Sequence, residues 1–276
     1  MGRSILNSFN VAPEKIPAII PCGAKGSMSD LIAIPKQLLF YEDKPLMYKV
    51  LNNLDENVVK EVLVTTGYMA PMLEGYIDSV KSQFRFKIQT LLEKRGEGGQ
   101  TPGSQKCDLG FLLRCIKRDR PEFLGETFLI HYSDIVAPGF NWSRLLSEHK
   151  RARAKDSNII GTLAVSRTHK FTVGIVYAHE GDEAIVKNIA ERPRGPDIPV
   201  MEGRRFFVNM AISLFEPRIM DFVQKDDDDL YGKIIASAQT SGCKFAYYEH
   251  TGVWYHIDDR LDINSANTSK FADYCW

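Results

Sequence analysis

An apolar run that leads into a loop of small residues most constrains the fold of this 276-residue chain. Residues 18–20 are Ala-Ile-Ile, and residues 23–27 are Gly-Ala-Lys-Gly-Ser. In α/β proteins, a buried strand that ends in such a loop brings backbone N–H groups against a phosphate. Small residues are needed there because a larger side chain would hold the anion away from the backbone. The stretch predicts a phosphate-binding loop, with Lys25 and Lys36 adding positive charge nearby.

Apolar and amphipathic segments alternate through the first half of the chain. Their periodicity predicts strands at 16–20, 61–66, 86–92 and 127–130 and helices at 45–54, 69–80 and 109–116. This order is typical of a parallel sheet that helices cover on both faces. Ligands of such sheets bind beyond the carboxyl ends of the strands, where the loop at 23–27 is expected.

The pattern changes from about residue 158 onwards, where strand-like segments follow one another with short turns. They predict strands at 159–165, 173–177, 184–189 and 206–215. The chain has no internal repeat and no low-complexity tract. We therefore expect one continuous α/β domain rather than two separate ones.

Charge balance and cysteine content narrow the classes of function. The chain carries 35 basic and 35 acidic side chains, which gives no support to nucleic acid or an anionic membrane as a partner. Its apolar runs fall short of the roughly 20 residues that cross a bilayer. The five cysteines are scattered without a CxxC pair, so neither a zinc site nor a disulfide framework is indicated. We expect a cytoplasmic, reduced protein.

Residues 18–52 resemble the signature of the sugar-1-phosphate nucleotidyltransferases, especially the glucose-1-phosphate thymidylyltransferase and cytidylyltransferase branches. That signature is an apolar strand, then LAGGxGTRL, then PKxLLP, then KP. Here PKQLL stands at 35–39 and KP at 44–45, and Gly23 and Gly26 keep the places of two signature glycines. The resemblance implies an α/β, Rossmann-like, mostly parallel mixed sheet flanked by helices, of the nucleotide-diphospho-sugar transferase type.

The resemblance covers about residues 16–263, and its first motif departs from the family at two positions. Ala24 replaces a glycine, and Met28 replaces the arginine that grips the triphosphate. The implied organisation is a single nucleotidyltransferase domain over residues 1–276. Its nucleotide-binding half would cover about 14–150, and its sugar-phosphate-binding half about 151–265.

The implied reaction joins an NTP to a sugar 1-phosphate, releases pyrophosphate and gives a nucleotide sugar. The resemblance places the triphosphate on the small-residue loop, namely Gly23, Ala24, Gly26 and Ser27. It assigns charge stabilisation and steering of the attacking phosphate to basic residues, namely Lys25, Lys36 and Arg192. Positioning and charge neutralisation carry most of the catalysis in such transfers.

Two motifs resemble the family's metal ligands, which implies Mg²⁺ as the cofactor. Asp134 ends the apolar stretch FLIHYSD, which resembles the strand whose aspartate is the first ligand. The stretch GVWYHIDD resembles GxWxDIGT, and His256 stands where the second ligand is an aspartate. Three interpretations stay open: His256 binds a softer metal such as Mn²⁺, Asp258 or Asp259 takes over, or the metal site is lost.

Three short motifs of the second half resemble sugar contacts. Glu191-Arg192-Pro193 resembles Glu-Lys-Pro, whose glutamate binds sugar hydroxyls and whose lysine holds the sugar phosphate. Arginine keeps the charge and adds a planar fork for two phosphate oxygens. Gly174 lies in a motif that resembles YGVV, and Asn209 in one that resembles NAGIY, so both are predicted sugar contacts.

Glu93 is the predicted contact to the nucleobase. It follows the predicted strand at 86–92 and stands at the place where thymidylyltransferases have a glutamine. A carboxylate accepts N–H groups from guanine or cytosine but is a poor partner for thymine or uracil. GTP or CTP is therefore favoured over dTTP and UTP.

Two alternatives to this reaction remain at this point. The same fold could transfer to a non-sugar phosphorylated acceptor, such as a polyol phosphate or a phosphonate. Because Met28 and His256 both depart at positions near triphosphate or metal, the chain could instead be a degenerate nucleotide-sugar-binding regulatory protein. The family also implies a homo-oligomer.

Overall fold

The computed structural model describes residues 14–24, 34–93, 109–167, 174–179, 181, 184–191, 206–224 and 229–257. Its strands, in chain order, are β1 (Ile16–Cys22), β2 (Phe40–Tyr41), β3 (Lys44–Pro45), β4 (Val59–Thr66), β5 (Lys87–Leu92), β6 (Phe128–His131), β7 (Ile135–Val136), β8 (Ile159–Ser166), β9 (Ile175–Ala178), β10 (Val186–Ala190), β11 (Phe206–Phe215), β12 (Lys244–Glu249) and β13 (Tyr255–His256). Its α-helices are α1 (Leu46–Asn52), α2 (Ala70–Val80), α3 (Leu109–Asp119), α4 (Trp142–Lys155) and α5 (Ile235–Thr240). Short 3₁₀ turns cover Lys36–Leu38, Lys81–Gln83, Pro121–Leu124 and Pro217–Phe222, and a π-helical turn covers Leu230–Ile234.

A nine-stranded mixed sheet organises the described residues. Strands β5, β4, β1 and β6 lie side by side and run parallel. The long strand β11 pairs antiparallel with β6, and β8 then pairs antiparallel with β11 and parallel with β12. Strands β9 and β10 extend the sheet beside the first part of β11. The structure confirms the mostly parallel, mixed α/β fold.

Strand β1 shows why the sheet needs cover on both faces. All seven of its residues are buried, as expected for a central parallel strand. Ala18 and Ile20 pack into the core beneath α1, α2 and α4. Ile19 points to the opposite core, which α3 and α5 cover. The continuous apolar run is thus a strand buried on both sides.

Most predicted elements are confirmed to within about two residues, and α4 is the main omission. Its buried positions are Trp142, Leu145, Leu146 and His149, which recur at helical spacing. The Asn141 side chain caps the helix by accepting from the Arg144 backbone N–H at 2.9 Å. The basic second half of this helix is solvent-facing and masked the pattern.

Within the described part of the chain, none of the helices is long and apolar enough to cross a bilayer.

The four parallel strands all end at the same edge of the sheet. Strand β1 runs into Gly23, β4 into Gly67, β5 into Glu93 and β6 into the Asp134 segment. Residues that are far apart in sequence therefore meet at one edge.

Candidate active site

The ends of β1, β4 and β5 pack their backbones unusually closely. The Gly23 carbonyl accepts a hydrogen bond from the Tyr68 backbone N–H at 3.0 Å. A Cβ built on Gly67 would lie 2.4 Å from the Gly23 carbonyl oxygen, so only glycine fits at position 67. A Cβ built on Gly23 would lie 2.1 Å from Glu93 Oε2. Gly23 therefore lies directly beneath the carboxylate that was predicted to read the base.

The predicted phosphate-binding loop is only partly described. Gly23 and Ala24 are its described members and follow β1 at the carboxyl edge. The predicted residues Lys25, Gly26 and Ser27 lie outside the described residues, as does Met28. Their predicted contacts with a triphosphate stay predictions.

A cluster of three charged or titratable side chains lies at the end of β6. Lys36 Nζ donates to Asp134 Oδ2 at 2.9 Å, and His256 Nε2 lies 3.7 Å from the same oxygen. The Lys36 and His256 side chains are each 9% exposed and Asp134 18%, so the charge pair of Lys36 and Asp134 is only weakly screened by solvent. The structure thus unites three residues separated by up to 220 positions in sequence.

Backbone and side-chain hydrogen bonds hold this cluster in place. Gln37 Nε2, one residue after Lys36, donates to Ser133 Oγ at 3.1 Å. The Ile257 N–H donates to the Asp134 carbonyl at 2.8 Å, and His256 pairs with Ile135 between β13 and β7. Each of the three side chains is therefore anchored by a neighbour in the chain.

The neighbours of Asp134 in this cluster determine the direction in which its pKa shifts. Burial acts to raise the pKa of its carboxyl, but the Lys36 ammonium and the His256 imidazole outweigh burial and hold the pKa well below its usual range. Asp134 is therefore a carboxylate across the neutral range.

The donor set of this cluster fits a divalent cation. Asp134 Oδ1 is buried and has no hydrogen-bond partner among the residues that the structure describes. Such an atom is costly unless a ligand completes it. An anionic oxygen beside an imidazole nitrogen suits Mn²⁺ or Co²⁺, whereas Mg²⁺ prefers oxygen ligands. The predicted ligand Asp258 lies outside the described residues, and those residues contain no cluster of three or more candidate ligands.

A second cluster forms beside β11 and contains three predicted sugar contacts. The Gly174 carbonyl accepts from the Asn209 backbone N–H at 2.8 Å. A Cβ on Gly174 would lie 2.7 Å from Glu191 Oε2 and 3.6 Å from Asn209 Cβ. The glycine thus allows a carboxylate and an amide to approach one stretch of backbone. Arg192 lies outside the described residues.

Sequence reasoning missed several residues that shape these clusters. Gly67 and the contact between Gln37 and Ser133 were not predicted, nor was Tyr231, whose hydroxyl lies 3.2 Å from Ser213 Oγ. A glycine directly after the second strand was the available signal for Gly67. The other contacts join segments that are distant in the sequence, so no local pattern predicts them.

Cys22 ends β1 beside this edge and is buried. Burial raises the pKa of its thiol far above the usual range, so the thiolate is not populated at neutral pH. Its role is to pack at the strand end.

Comparisons with known proteins agree with the fold described above and show the family. The profile of the family described as "Nucleotidyl transferase" matches residues 32–268. The chain is 23% identical to the UTP–glucose-1-phosphate uridylyltransferase of Bacillus subtilis (strain 168), over 92% of this chain and 90% of that protein. It is 22% identical to a probable mannose-1-phosphate guanylyltransferase 1 of Oryza sativa subsp. japonica, over 84% of this chain and 57% of that protein.

Solved structures share the fold. A UDP-glucose pyrophosphorylase complexed with UDP-glucose aligns with a TM-score of 0.68 at 15% identity, covering 94% of this chain and 100% of that one. A putative glucose-1-phosphate thymidylyltransferase from Bacillus anthracis aligns with a TM-score of 0.67 at 14% identity, covering 91% and 94%.

Proposed function

The chain belongs to the nucleotidyl transferase family, and from that premise we propose that it joins an NTP to a sugar 1-phosphate, releasing pyrophosphate and giving a nucleotide sugar. The observation that carries the proposal is the cluster of Lys36, Asp134 and His256 at the carboxyl edge of the sheet. Strand ends of a parallel sheet are where such folds bind their ligands. The second cluster, at Gly174, supplies the hydroxyl-binding groups that a sugar needs.

Lys36 supplies positive charge at the reacting phosphates. In the reaction, an oxygen of the sugar phosphate attacks the α-phosphorus, that P–O bond forms, and the bond to the pyrophosphate leaving group breaks. The ammonium group of Lys36 is almost buried, so its charge acts at low dielectric on the phosphate oxygens. Its present partner, Asp134, keeps it oriented until the substrates bind.

Asp134 and His256 would hold a divalent cation, through Asp134 Oδ1 and an imidazole nitrogen. When bound, such a cation supplies Lewis-acid charge to the phosphate oxygens. Asp134 keeps its negative charge there because its pKa is held far below neutrality. The identity of the metal, Mg²⁺ or Mn²⁺, belongs to the proposal.

The remaining groups position the substrates. Gly23 and Ala24 would present backbone N–H groups to the phosphate chain. Because Gly23 has no side chain, the Glu93 carboxylate fits against it and would read the base, with GTP or CTP preferred. Glu191 and Asn209 would bind sugar hydroxyls, and Arg192 would steer the attacking phosphate. Lys25, Gly26 and Ser27 would complete the triphosphate loop.

The test begins with thermal melts of the protein with ATP, CTP, GTP, UTP or dTTP, each with Mg²⁺, Mn²⁺ or EDTA. A ligand at 100 times its Kd stabilises the native state by about 2.7 kcal/mol, which a melt resolves. The stabilising NTP is then incubated with a panel of sugar 1-phosphates, and released pyrophosphate is measured. Pyrophosphate that depends on both substrates supports the proposal.

A matched pair of variants links that activity to the cluster. Lys36→Met keeps the aliphatic stem but removes the charge, and we expect the rate to fall at least about 100-fold. Lys244→Met is the control, because Lys244 also forms an ion pair, 2.8 Å from Asp156, on the far surface. Equal rates in both variants, or a stabilising shift with nucleotide sugars but no turnover, would reject catalysis at this site.

A further inference from the structure

His131 is the last residue of β6 and has no part in the reaction described above. It is 0% exposed. Its imidazole packs on the indole of Trp142, the first residue of α4, with 5.6 Å between the ring centroids and 29° between the ring planes. The indole Nε1–H donates to the Asn53 carbonyl at 2.6 Å, so the indole is itself held in place. The imidazole of His131 therefore lies in the core against a fixed neighbour.

One hydrogen bond determines the tautomer of His131. Its Nδ1 lies 2.7 Å from the carbonyl oxygen of Tyr132, and a carbonyl oxygen only accepts, so Nδ1 carries the proton. Burial lowers the pKa of the imidazole to about 4, so the ring is neutral at pH 7 and Nε2 is a bare acceptor. This Nε2 is buried and has no hydrogen-bond partner among the residues that the structure describes.

Such an acceptor destabilises the core, which makes the choice of histidine at position 131 informative. A buried polar atom without a partner costs free energy on folding. Leucine would occupy most of the same space and would leave no polar atom unpaired. The group that histidine has and leucine lacks is the Nδ1–H donor, so the function of His131 is sought in the bond that this donor makes.

The acceptor of that bond begins the turn that carries Asp134. The Tyr132 carbonyl also accepts from the Ile135 N–H at 3.3 Å, which closes a β-turn whose third residue is Asp134. The closing bond is long, and the bond from His131 is the shorter of the two. The direction in which the Asp134 carboxylate points therefore depends on a carbonyl group that His131 holds.

We propose that His131 is a positioning residue, whose Nδ1–H holds the turn from Tyr132 to Ile135 so that the Asp134 carboxylate is oriented toward a divalent cation. The imidazole acts through the turn and does not bind the cation. The role of the cation in this inference rests on the proposed function. The contact between His131 and the turn does not.

Three substitutions separate the donor from the ring. His131→Asn places an amide N–H where Nδ1 was, since both atoms are bonded to Cγ. His131→Gln places its amide near the position of Nε2 instead, and His131→Leu has no donor. The Kd of Mn²⁺, measured by calorimetry with the stabilising NTP present, should rise at least about tenfold in His131→Leu and His131→Gln. It should stay within about threefold of the wild type in His131→Asn. Equal losses in all three variants, or no loss in His131→Leu, overturn the inference.

His149→Leu is the matched control for a merely structural role. His149 is also buried, but both of its ring nitrogens have partners, Thr162 Oγ1 at 2.8 Å and Glu216 Oε1 at 2.9 Å. Its removal takes a hydrogen bond from each partner, so the urea midpoint should fall while the Kd of Mn²⁺ stays within about twofold.

His131→Leu should show the reverse pattern. Its urea midpoint should be equal to or higher than that of the wild type, because the unpaired Nε2 is gone, while the cation binds more weakly. In turnover, kcat should fall about tenfold, and the KM of the sugar 1-phosphate should stay within about twofold. A lower midpoint with an unchanged Kd of Mn²⁺ would make His131 a structural residue and overturn the inference.

Amide hydrogen exchange tests the turn without metal or turnover. The Ile135 amide, observed by NMR, should exchange about tenfold faster in His131→Leu and His131→Gln than in the wild type, and at the wild-type rate in His131→Asn. If the wild type neither binds Mn²⁺ nor releases pyrophosphate, the proposed function fails, and this exchange pattern would still support the hold of His131 on the turn. The same exchange rate in all four proteins overturns that hold.

Discussion

Two largely buried carboxylates in this molecule have similar neighbours but differ in how many of their oxygens have a hydrogen-bond partner. Glu216 lies between α4 and the sheet, where its Oε1 accepts from Thr127 at 2.6 Å and contacts His149 Nε2 at 2.9 Å. Its Oε2 pairs with Arg153 at 2.8 Å. Asp134 likewise has a basic residue and a histidine, but both approach the same oxygen.

The difference lies in the second oxygen. Both oxygens of Glu216 have partners, whereas Oδ1 of Asp134 has none within the described parts of the chain. In each case burial acts to raise the pKa of the carboxyl, and the hydrogen bonds and charges of the neighbours lower it overall. A histidine and a cation beside a buried acid therefore do not mark a site. The unfilled acceptor is the feature that points to a ligand.

The largest expected effect comes from Asp134→Asn, which removes the charge but keeps the shape. Because the charge would hold the cation and orient Lys36, we expect the rate of pyrophosphate release to fall at least about 100-fold. Asp156→Asn, which alters a surface ion pair with Lys244, should stay within about twofold of the wild type. A comparable loss of rate in both variants would contradict a specific role for Asp134 in the reaction.

Glu216→Gln should lower the stability of the protein but leave its activity nearly unchanged. It weakens hydrogen bonds to His149, Thr127 and Arg153, so the free energy of unfolding should fall by about 1–3 kcal/mol. Turnover at 25 °C should remain within about threefold, since the network does not touch the reacting edge. Urea unfolding measures the first quantity, and a large drop in kcat with unchanged stability would contradict the structural role.

His256→Asp should change which metal ion the site at Asp134 prefers. A second carboxylate beside Asp134 favours a hard cation, so we expect the Kd of Mg²⁺, measured with bound NTP, to fall about tenfold relative to that of Mn²⁺. Calorimetry supplies both constants. His149→Asn, which alters the hydrogen bonds of Glu216, should leave their ratio unchanged. The same ratio in His256→Asp and wild type would remove His256 from the metal site.

The smallest effect is a pH dependence carried by Glu216. Its pKa in the folded protein lies below the ordinary value of 4.5, so its ionised form stabilises the fold. That stabilisation is present above about pH 4.5 and is lost as the pH falls through the folded pKa. The stability difference between wild type and Glu216→Gln should therefore shrink below that pH. A difference that grows in acid would reverse the assigned direction.

More of the fold than of the candidate site could be predicted from the sequence. Strand β1 was predicted from its continuous apolar run, and α2 from its helical spacing, because burial leaves a local pattern. Helix α4 carries the same kind of pattern at Trp142, Leu145 and Leu146 but was missed beneath its basic residues. The short pair β7 and β13 has no local signal, since it exists only through pairing between distant segments.

At the site, sequence resemblance indicated single residues but not their contacts. Asp134 and His256 were each singled out, yet their approach to one carboxylate oxygen depends on how β13 lies on β7. The contact between Tyr231 and Ser213 depends on a π-turn, and the left-handed backbone of Ala211 lies at a bulge, and both features arise from packing rather than from propensity. The roles assigned to these residues stay predictions until the variants are measured.

The irregular strand β11 has a mechanical consequence. Its first residues pair with β9 beside Gly174, and its last residues pair with β6, which leads to Asp134. The left-handed Ala211 interrupts the ladder between them, and the register of β11 against β8 shifts there. The two ends of β11 are therefore separately paired stretches of one strand, and a single irregular residue joins the Gly174 cluster to the strand that leads to Asp134.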